Sequence, residues 1–490
     1  MTPAAEFGSK SDLTSRPQGR AHLHRERTLS VCMFAHSARL GGADRSLLEL
    51  VNELVADHGA ACTVVMPKSG PLVDAMHRAG ARCITADYAW WCAVGPLAEE
   101  AGRRRVTASI NRVLGELCET VAKVDPDIIW TQTLVIPWGA LVASLLRKPH
   151  VWSVCEYGER DHGLKFFWPF DRILADIAKS SSLIYACTRD VAKELFPDIP
   201  PDRLRILYRH VTVPPLGAGA GADSPARTRP NGVRLGIFGF LAPTKRQEDA
   251  IRAVAELVAR GRDVELLVAG ANTGNYRQFL EGLASSLRIG DRVHFCGYLP
   301  DPYPAMRDCD VIASCSRSEA FGRVAVEAML LERPVVHPSI GGFVEYMVDG
   351  VTGLSYPAGD VAALAARLEE LVGDPSRRLA LGQAGRAHAA RFFTAEKYGG
   401  EVFRSLMNIR ARGAASCSIP SVLVPGVVRA LANAYRAAVE AGSAEATARI
   451  RDHAATLLAD LEAQREAASS LGDIAVLRRT LGEARARAPG

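Results

Sequence analysis

At 490 residues the chain exceeds what one ordinary core holds, and a norm of roughly 100–200 residues per domain predicts two large domains plus an appendage. Hydrophobic residues at 48% and charged residues at 23% exclude a disordered chain, and a net charge of +5 is too mild to argue for nucleic acid. The 11 cysteines show no C-x-x-C pair and no Cys/His cluster at zinc spacing, no run reaches the roughly 18 apolar residues of a membrane span, and the arginine-bearing start lacks an apolar signal core; a reduced, cytoplasmic setting is expected.

Residues 1–28 are polar and aperiodic and read as a disordered leader. From Leu29, LSVCMFAHS is a buried strand, LGGADR a break, and LLELVNELVADHG an amphipathic helix ending at Gly59. ACTVVMP, ARCITAD, DIIWTQT, HVWSVC and SLIYACT repeat the short apolar run, separated by helical stretches, which predicts a parallel sheet covered on both faces across 29–213. A Gly-, Ala- and Pro-rich linker follows over 214–230. VRLGIFGF, VELLVAG, RVHFCG, VIASCS and PVVHP then predict a second α/β domain over 231–395, a closing helix over 396–414, and an alanine- and arginine-rich helical extension over 415–490, read as a cap or a self-association helix.

The most informative block is SEAFGRVAVEAMLLERPVV. Glu319 falls in a loop after a strand and Glu327 inside the following helix, with Phe321, Gly322 and Arg323 between them. A glycine opening a helix leaves backbone amides and the positive dipole end free for a diphosphate. Lys245 and Arg246 follow the first strand of the second domain, at the sheet edge where open α/β folds bind ligands. Gly41 and Gly42 follow the first strand of the first domain, where the missing side chains allow close backbone approach.

This order, together with HSARLGGADRSLLELV, PDIIWTQT, PHVWSVCEYGERDHGLKF, GFLAPTKRQEDAIRAV and GGFVEYMVDGVTGL, resembles the family 4 retaining glycosyltransferases of the GT-B fold, whose hallmark is a Glu, seven residues and a second Glu. The resemblance spans roughly 30–400. It implies two Rossmann-like domains facing across a cleft and a nucleotide-sugar donor as substrate, with no cofactor and no metal. It also implies a ribose contact at Glu327, sugar and diphosphate contacts at Glu319, Phe321 and Gly322, and a phosphate cation at Lys245. The acceptor is expected to be a glycan, a lipid-linked compound or a small molecule, in bacterial polysaccharide or glycoconjugate synthesis.

Two departures stand out. Phe240 follows Gly239 where many relatives place an arginine, with Arg246 as a candidate substitute; Cys155-Glu156 replaces the common His-Glu pair. Asp161 and His162 are candidate sugar or acceptor contacts beside Cys155 and Glu156. Asp125/Asp127 and Asp308/Asp310 have the Asp-x-Asp spacing of a metal-holding pair, but such a pair follows a strand and both of these precede their apolar runs. Trp90, Trp91, Phe166, Phe167 and Trp168 mix with Arg103, Arg104, Arg105 and Lys165, which suits a membrane surface or, equally, a buried aromatic patch under a charged rim. A non-catalytic sugar- or partner-binding subunit of the same fold is the alternative reading.

Overall fold

The computed structural model describes residues 28–95, 98–215, 226–272, 274–413 and 417–463, with 475 and 478; the leader and the end of the extension lie outside them. Nine strands belong to the first half: β1 (Ser30–Phe34), β2 (Ala61–Met66), β3 (Arg82–Thr85), β4 (Cys92–Val94), β5 (Ile128–Gln132), β6 (His150–Val154), β7 (Leu164–Phe166), β8 (Leu183–Ala186) and β9 (Leu204–Ile206). Six follow in the second: β10 (Val233–Phe238), β11 (Val264–Ala269), β12 (Val293–Gly297), β13 (Val311–Ala313), β14 (Val335–Pro338) and β15 (Leu354–Tyr356).

Thirteen of them form two parallel sheets, ordered β3-β2-β1-β5-β6-β8-β9 and β12-β11-β10-β13-β14-β15. The GT-B expectation of two doubly wound domains is met. β5, β6 and β11 are buried along their whole length, as continuous apolar runs must be when helices cover both faces. The helix Gly42–Ala56 turns Leu47, Leu50, Val51 and Leu54 onto the first sheet.

A short antiparallel pair, β4 with β7, brings DYAWWCAVG against GLKFFWPF. Trp91, Phe166 and Phe167 are buried there, and the Trp90 and Trp91 indoles donate to the His36 and Leu134 carbonyls at 2.8 and 2.6 Å. Arg103 stacks over Trp168 with 5.9 Å to the ring centroid. Of the two readings of this patch, the buried one describes its centre.

The chain returns to its first domain at the end. Tyr398, Val402 and Leu406 join the first sheet's core, and Arg205 pairs with Glu401 at 2.6 Å. The helices Val424–Glu440 and Ala444–Ala463 pack on each other and on the helices Glu99–Val124 and Trp138–Leu146 of the first domain. The segment Ser421–Glu440, 20 residues at mean hydropathy 1.2, is long and apolar enough to cross a membrane by length and composition, although it is no unbroken apolar run. Part of its apolar side meets Ile110 and its neighbours; Val424, Val427, Val428 and Leu431 are buried in the same cluster as Ile110, Leu114 and Leu117.

Candidate active site

Both sheets reverse strand order at their centres, between β1 and β5 in one and between β10 and β13 in the other. The crevice outside the carboxyl ends of such strands is where this architecture binds ligands. The sequence candidates follow the carboxyl ends of β1 (Gly41, Gly42), β6 (Cys155 to His162), β10 (Lys245, Arg246) and β13 (Glu319 to Arg323).

At the centre, Lys245 Nζ donates to Glu319 Oε2 at 2.8 Å, and Ser316 Oγ donates to the same oxygen at 2.8 Å. Burial alone would raise the Glu319 carboxyl; the Lys245 charge and hydrogen bond outweigh it and hold the group below the usual carboxylate range. His162, from the opposite domain, lies within charge range of both residues, and its imidazole is held below its ordinary value by burial, with Asp161 pulling the other way. It is 46% exposed at its side chain, so it faces open space.

The loop carrying Glu319 is clamped by glycines. Gly322 has φ +80°, and a Cβ there would stand 2.3 Å from Phe343 Cε1; at Gly341, φ +52°, it would stand 2.1 Å from the Glu319 carbonyl oxygen. The Gly342 amide donates to that carbonyl at 3.0 Å, and Tyr346 Oη donates to the Phe321 carbonyl at 2.6 Å. From the first domain, Thr188 Oγ1 donates to the Ala320 carbonyl at 2.9 Å and Arg160 Nε to Ser318 Oγ at 2.9 Å. The helix Arg323–Leu330 therefore starts at a fixed point; the Ala325 amide donates to the Gly322 carbonyl at 2.9 Å, and the Arg323 and Val324 amides precede this first bonded turn.

Glu327 accepts Arg323 Nε at 2.8 Å through Oε1, and Arg323 forks onto Glu49 of the first domain at 2.7 and 2.8 Å. Arg323 thus joins the two walls and steadies Glu327. Gly42 lies against it: a Cβ there would be 3.8 Å from Arg323 Cδ. Gly41 caps the start of the helix Gly42–Ala56, its amide donating to Asp44 Oδ2 at 3.1 Å. Glu49 and Arg160 escaped the sequence reading, although a glutamate on the apolar face of LLELVNEL, 8% exposed here, was a usable signal.

Other candidates are occupied. Arg246, at φ 49°, donates to both oxygens of Asp249 at 2.5 and 2.9 Å, so its guanidinium is engaged by a carboxylate. Phe240 is 46% exposed and brings no charge. Glu156 is buried, accepting the Leu134 amide at 2.5 Å and the Cys155 amide at 3.1 Å. Asp161 is buried too, accepting the Tyr157 and Gly158 amides, each at 3.0 Å. Both shape the loop after β6. Cys155, partly exposed, is contacted by Arg209. Asp308 and Asp310 are bound by Arg227 and Arg234, and Asp127 accepts the Ser30 amide at 2.8 Å.

This arrangement coincides with two family matches. Residues 40–213 match the model of Glycosyltransferase Family 4, and residues 229–388 match that of Glycosyl transferases group 1. The chain belongs to the family 4 glycosyltransferases. Among curated relatives of this family 4 chain, the D-inositol 3-phosphate glycosyltransferase of Stackebrandtia nassauensis is 32% identical over 247 residues, covering 46% of this chain and 54% of that protein. The 2-deoxystreptamine glucosyltransferase of Streptomyces kanamyceticus is 37% identical over 161 residues, covering 32% of this chain and 41% of that one. The chain thus spans about half the length of the curated relatives it matches. In structure it resembles Anabaena HepE, solved with UDP and glucose, at TM-score 0.62 and 20% identity over 78% of this chain and 100% of the other. Sucrose-phosphate synthase from Thermosynechococcus elongatus aligns at TM-score 0.61 and 20% identity, over 78% of this chain and 99% of the other. At such identities these two establish the shared fold.

Proposed function

We propose that this chain transfers a glycosyl group from a nucleotide diphosphate sugar to a hydroxyl of a polyhydroxylated acceptor, with retention of anomeric configuration. The observation that carries the reading is the Lys245–Glu319 pair, 2.8 Å apart, at the carboxyl edge of the second sheet and facing His162. Departure of the diphosphate builds negative charge on phosphate oxygen, and a preorganised ammonium beside the N-terminus of the Arg323–Leu330 helix meets that charge without reorganisation. Glu327, braced by Arg323, is the proposed ribose acceptor of hydrogen bonds. The carboxylates lining the centre support a route without a covalent enzyme intermediate: Glu319 is held by Lys245 and Ser316, while Glu156 and Asp161 are taken up by amides.

The names of the relatives, one acting on inositol 3-phosphate and one on 2-deoxystreptamine, favour a cyclitol-class small molecule over a lipid-linked acceptor, and the burial of Trp91, Phe166 and Phe167 agrees. The proposed setting is the cytoplasm, in glycoconjugate synthesis, with no metal required.

A thermal-shift and transfer screen against UDP-, GDP-, ADP- and dTDP-sugars tests the reading, with Glu327→Ala beside the wild type. One donor should stabilise the wild type and lose most of that effect in the variant. If no nucleotide sugar is bound or turned over, the catalytic reading falls and a non-catalytic binding subunit takes its place.

A further inference from the structure

Arg209 is 4% exposed, yet none of its hydrogen bonds goes to a carboxylate. Nη2 touches Cys155 Sγ and lies 3.4 Å from Ser153 Oγ, while Nη1 has no partner at all. By contrast, the buried Arg234 is held by Glu265 at 2.6 Å and by Asp308, and Arg323 by Glu49 and Glu327. A desolvated guanidinium without a counter-charge is among the costliest groups a fold can carry. The carboxyl that acts most on it, Glu156, has both oxygens on backbone amides, and burial raises it to about 7; Cys155, Tyr398 and Cys187 are its other principal neighbours.

The position is as telling as the charge. Arg209 follows β9, Cys155 follows β6 and Cys187 follows β8, all at the carboxyl edge of the first sheet. Cys187 Sγ reaches the Ala320 carbonyl at 3.7 Å, one residue from Glu319, so this wall borders the donor loop, and Cys155 on it is partly exposed. The opposite wall is short of cations: residue 240 is phenylalanine, Arg246 is paired with Asp249, and Lys245 is already shared with Glu319.

We propose that Arg209, with the Cys155 thiol and the Ser153 hydroxyl, forms a phosphate-binding subsite on the first domain's side of the crevice and supplies the second positive charge that the substrate's phosphates require. This rests on the donor reading above for its place in the reaction, but not for the anion chemistry itself, which inorganic pyrophosphate probes directly.

The test uses the full chain with Arg209→Gln and Arg209→Lys. Binding of pyrophosphate, UDP, uridine and inositol phosphate is measured by calorimetry, and alkylation of Cys155 is followed by peptide mass spectrometry. Arg209→Gln should melt above the wild type without ligand, because an unpaired buried charge is gone, and should bind pyrophosphate and UDP at least tenfold more weakly with uridine unchanged. Arg209→Lys should fall between, and pyrophosphate should protect Cys155 in the wild type. If only inositol phosphate loses affinity, the subsite stands and its phosphate comes from the acceptor. Anion affinities equal to wild type, or a lower melting point with uridine binding lost as well, overturn the proposal. A wild type that binds pyrophosphate through Arg209 but no nucleotide sugar would retain the subsite and remove the donor reading.

Discussion

Glu156 combines a partner from the family's sugar-contact motif with a fully internal position. Burial raises its carboxyl to about 7 from an ordinary 4.5, and the Leu134 and Cys155 amides only partly offset this. Between those two values the unfolded chain has released the proton while the folded chain still holds it, so the unfolded state binds fewer protons and stability falls as pH rises. Glu156→Gln keeps a neutral acceptor at the same place. It should flatten the loss of stability between pH 4.5 and 7, a loss on the order of 3 kcal/mol for a shift of that size, while lowering stability at pH 4.5, because the Gln NH2 cannot accept the second of the Leu134 and Cys155 amides. Denaturant melts at several pH values give the answer, and parallel curves for the two proteins would contradict it. Lys245 differs in kind, since its loss leaves Glu319 with Ser316 alone. Lys245→Ala should keep the fold, let the Glu319 carboxyl rise, and lower transfer by roughly 10²–10³-fold, the range seen when one preorganised charge-stabilising donor is removed. Initial-rate kinetics beside circular dichroism separate that outcome from a folding defect.

At the scale of elements, the donor loop owes its shape to Gly322 and Gly341. A methyl group at Gly322 meets a positive φ and Phe343 Cε1 at 2.3 Å together, so either the loop or the Phe343–Tyr346 helix must move. Gly322→Ala should lower stability by about 1–3 kcal/mol and weaken donor binding more than tenfold, since the displaced atoms begin the Arg323–Leu330 helix. Unchanged donor affinity in a destabilised variant would separate loop shape from function. Much of this element was readable in advance: buried parallel strands appear as unbroken apolar runs, and the Glu319-to-Glu327 block sits between two of them. What the sequence hides has physical causes. β4 and β7 are three residues each, too short for any period, and pair across 70 residues of chain. The bridge from Arg323 to Glu49 joins positions 274 apart and leaves no local pattern, so Arg323 reads as a donor contact when it is equally a tie between domains. Arg246 looked free because its αL backbone, which swings the guanidinium back to Asp249, has no mark in the residue type.

On the scale of the whole molecule, the two lobes are held by buried or half-buried polar ties. Besides Arg323, Glu345 accepts the Arg189 and Asp190 amides at 2.9 and 2.7 Å and the Tyr208 hydroxyl at 2.5 Å, placing a carboxylate of one domain on a helix start of the other. Among the described residues, the C-terminal extension packs on the first lobe. Its helix Val424–Glu440 covers the long helix Glu99–Val124, and Gly426 lets the two approach until a Cβ there would lie 3.3 Å from Ile110 Cδ1. The contact is apolar, with Ile110, Leu114 and Leu117 on one side and Val427, Val428 and Leu431 on the other. A chain ending at Gly413 would return the former three side chains to water, and at about 25 cal/mol per Å² of apolar surface such exposure is costly and adhesive. The truncated protein should melt at lower temperature, bind a hydrophobic dye and elute as aggregates or larger species in gel filtration. Because the proposed donor site draws no residue from the extension among the described residues, its nucleotide affinity should stay within a few-fold of the full chain wherever monomer is recovered. A truncated monomer of unaltered melting temperature would show that the extension does not stabilise the first domain, and a monomer that has lost nucleotide binding would place the extension in the path from the first domain's long helix to the crevice.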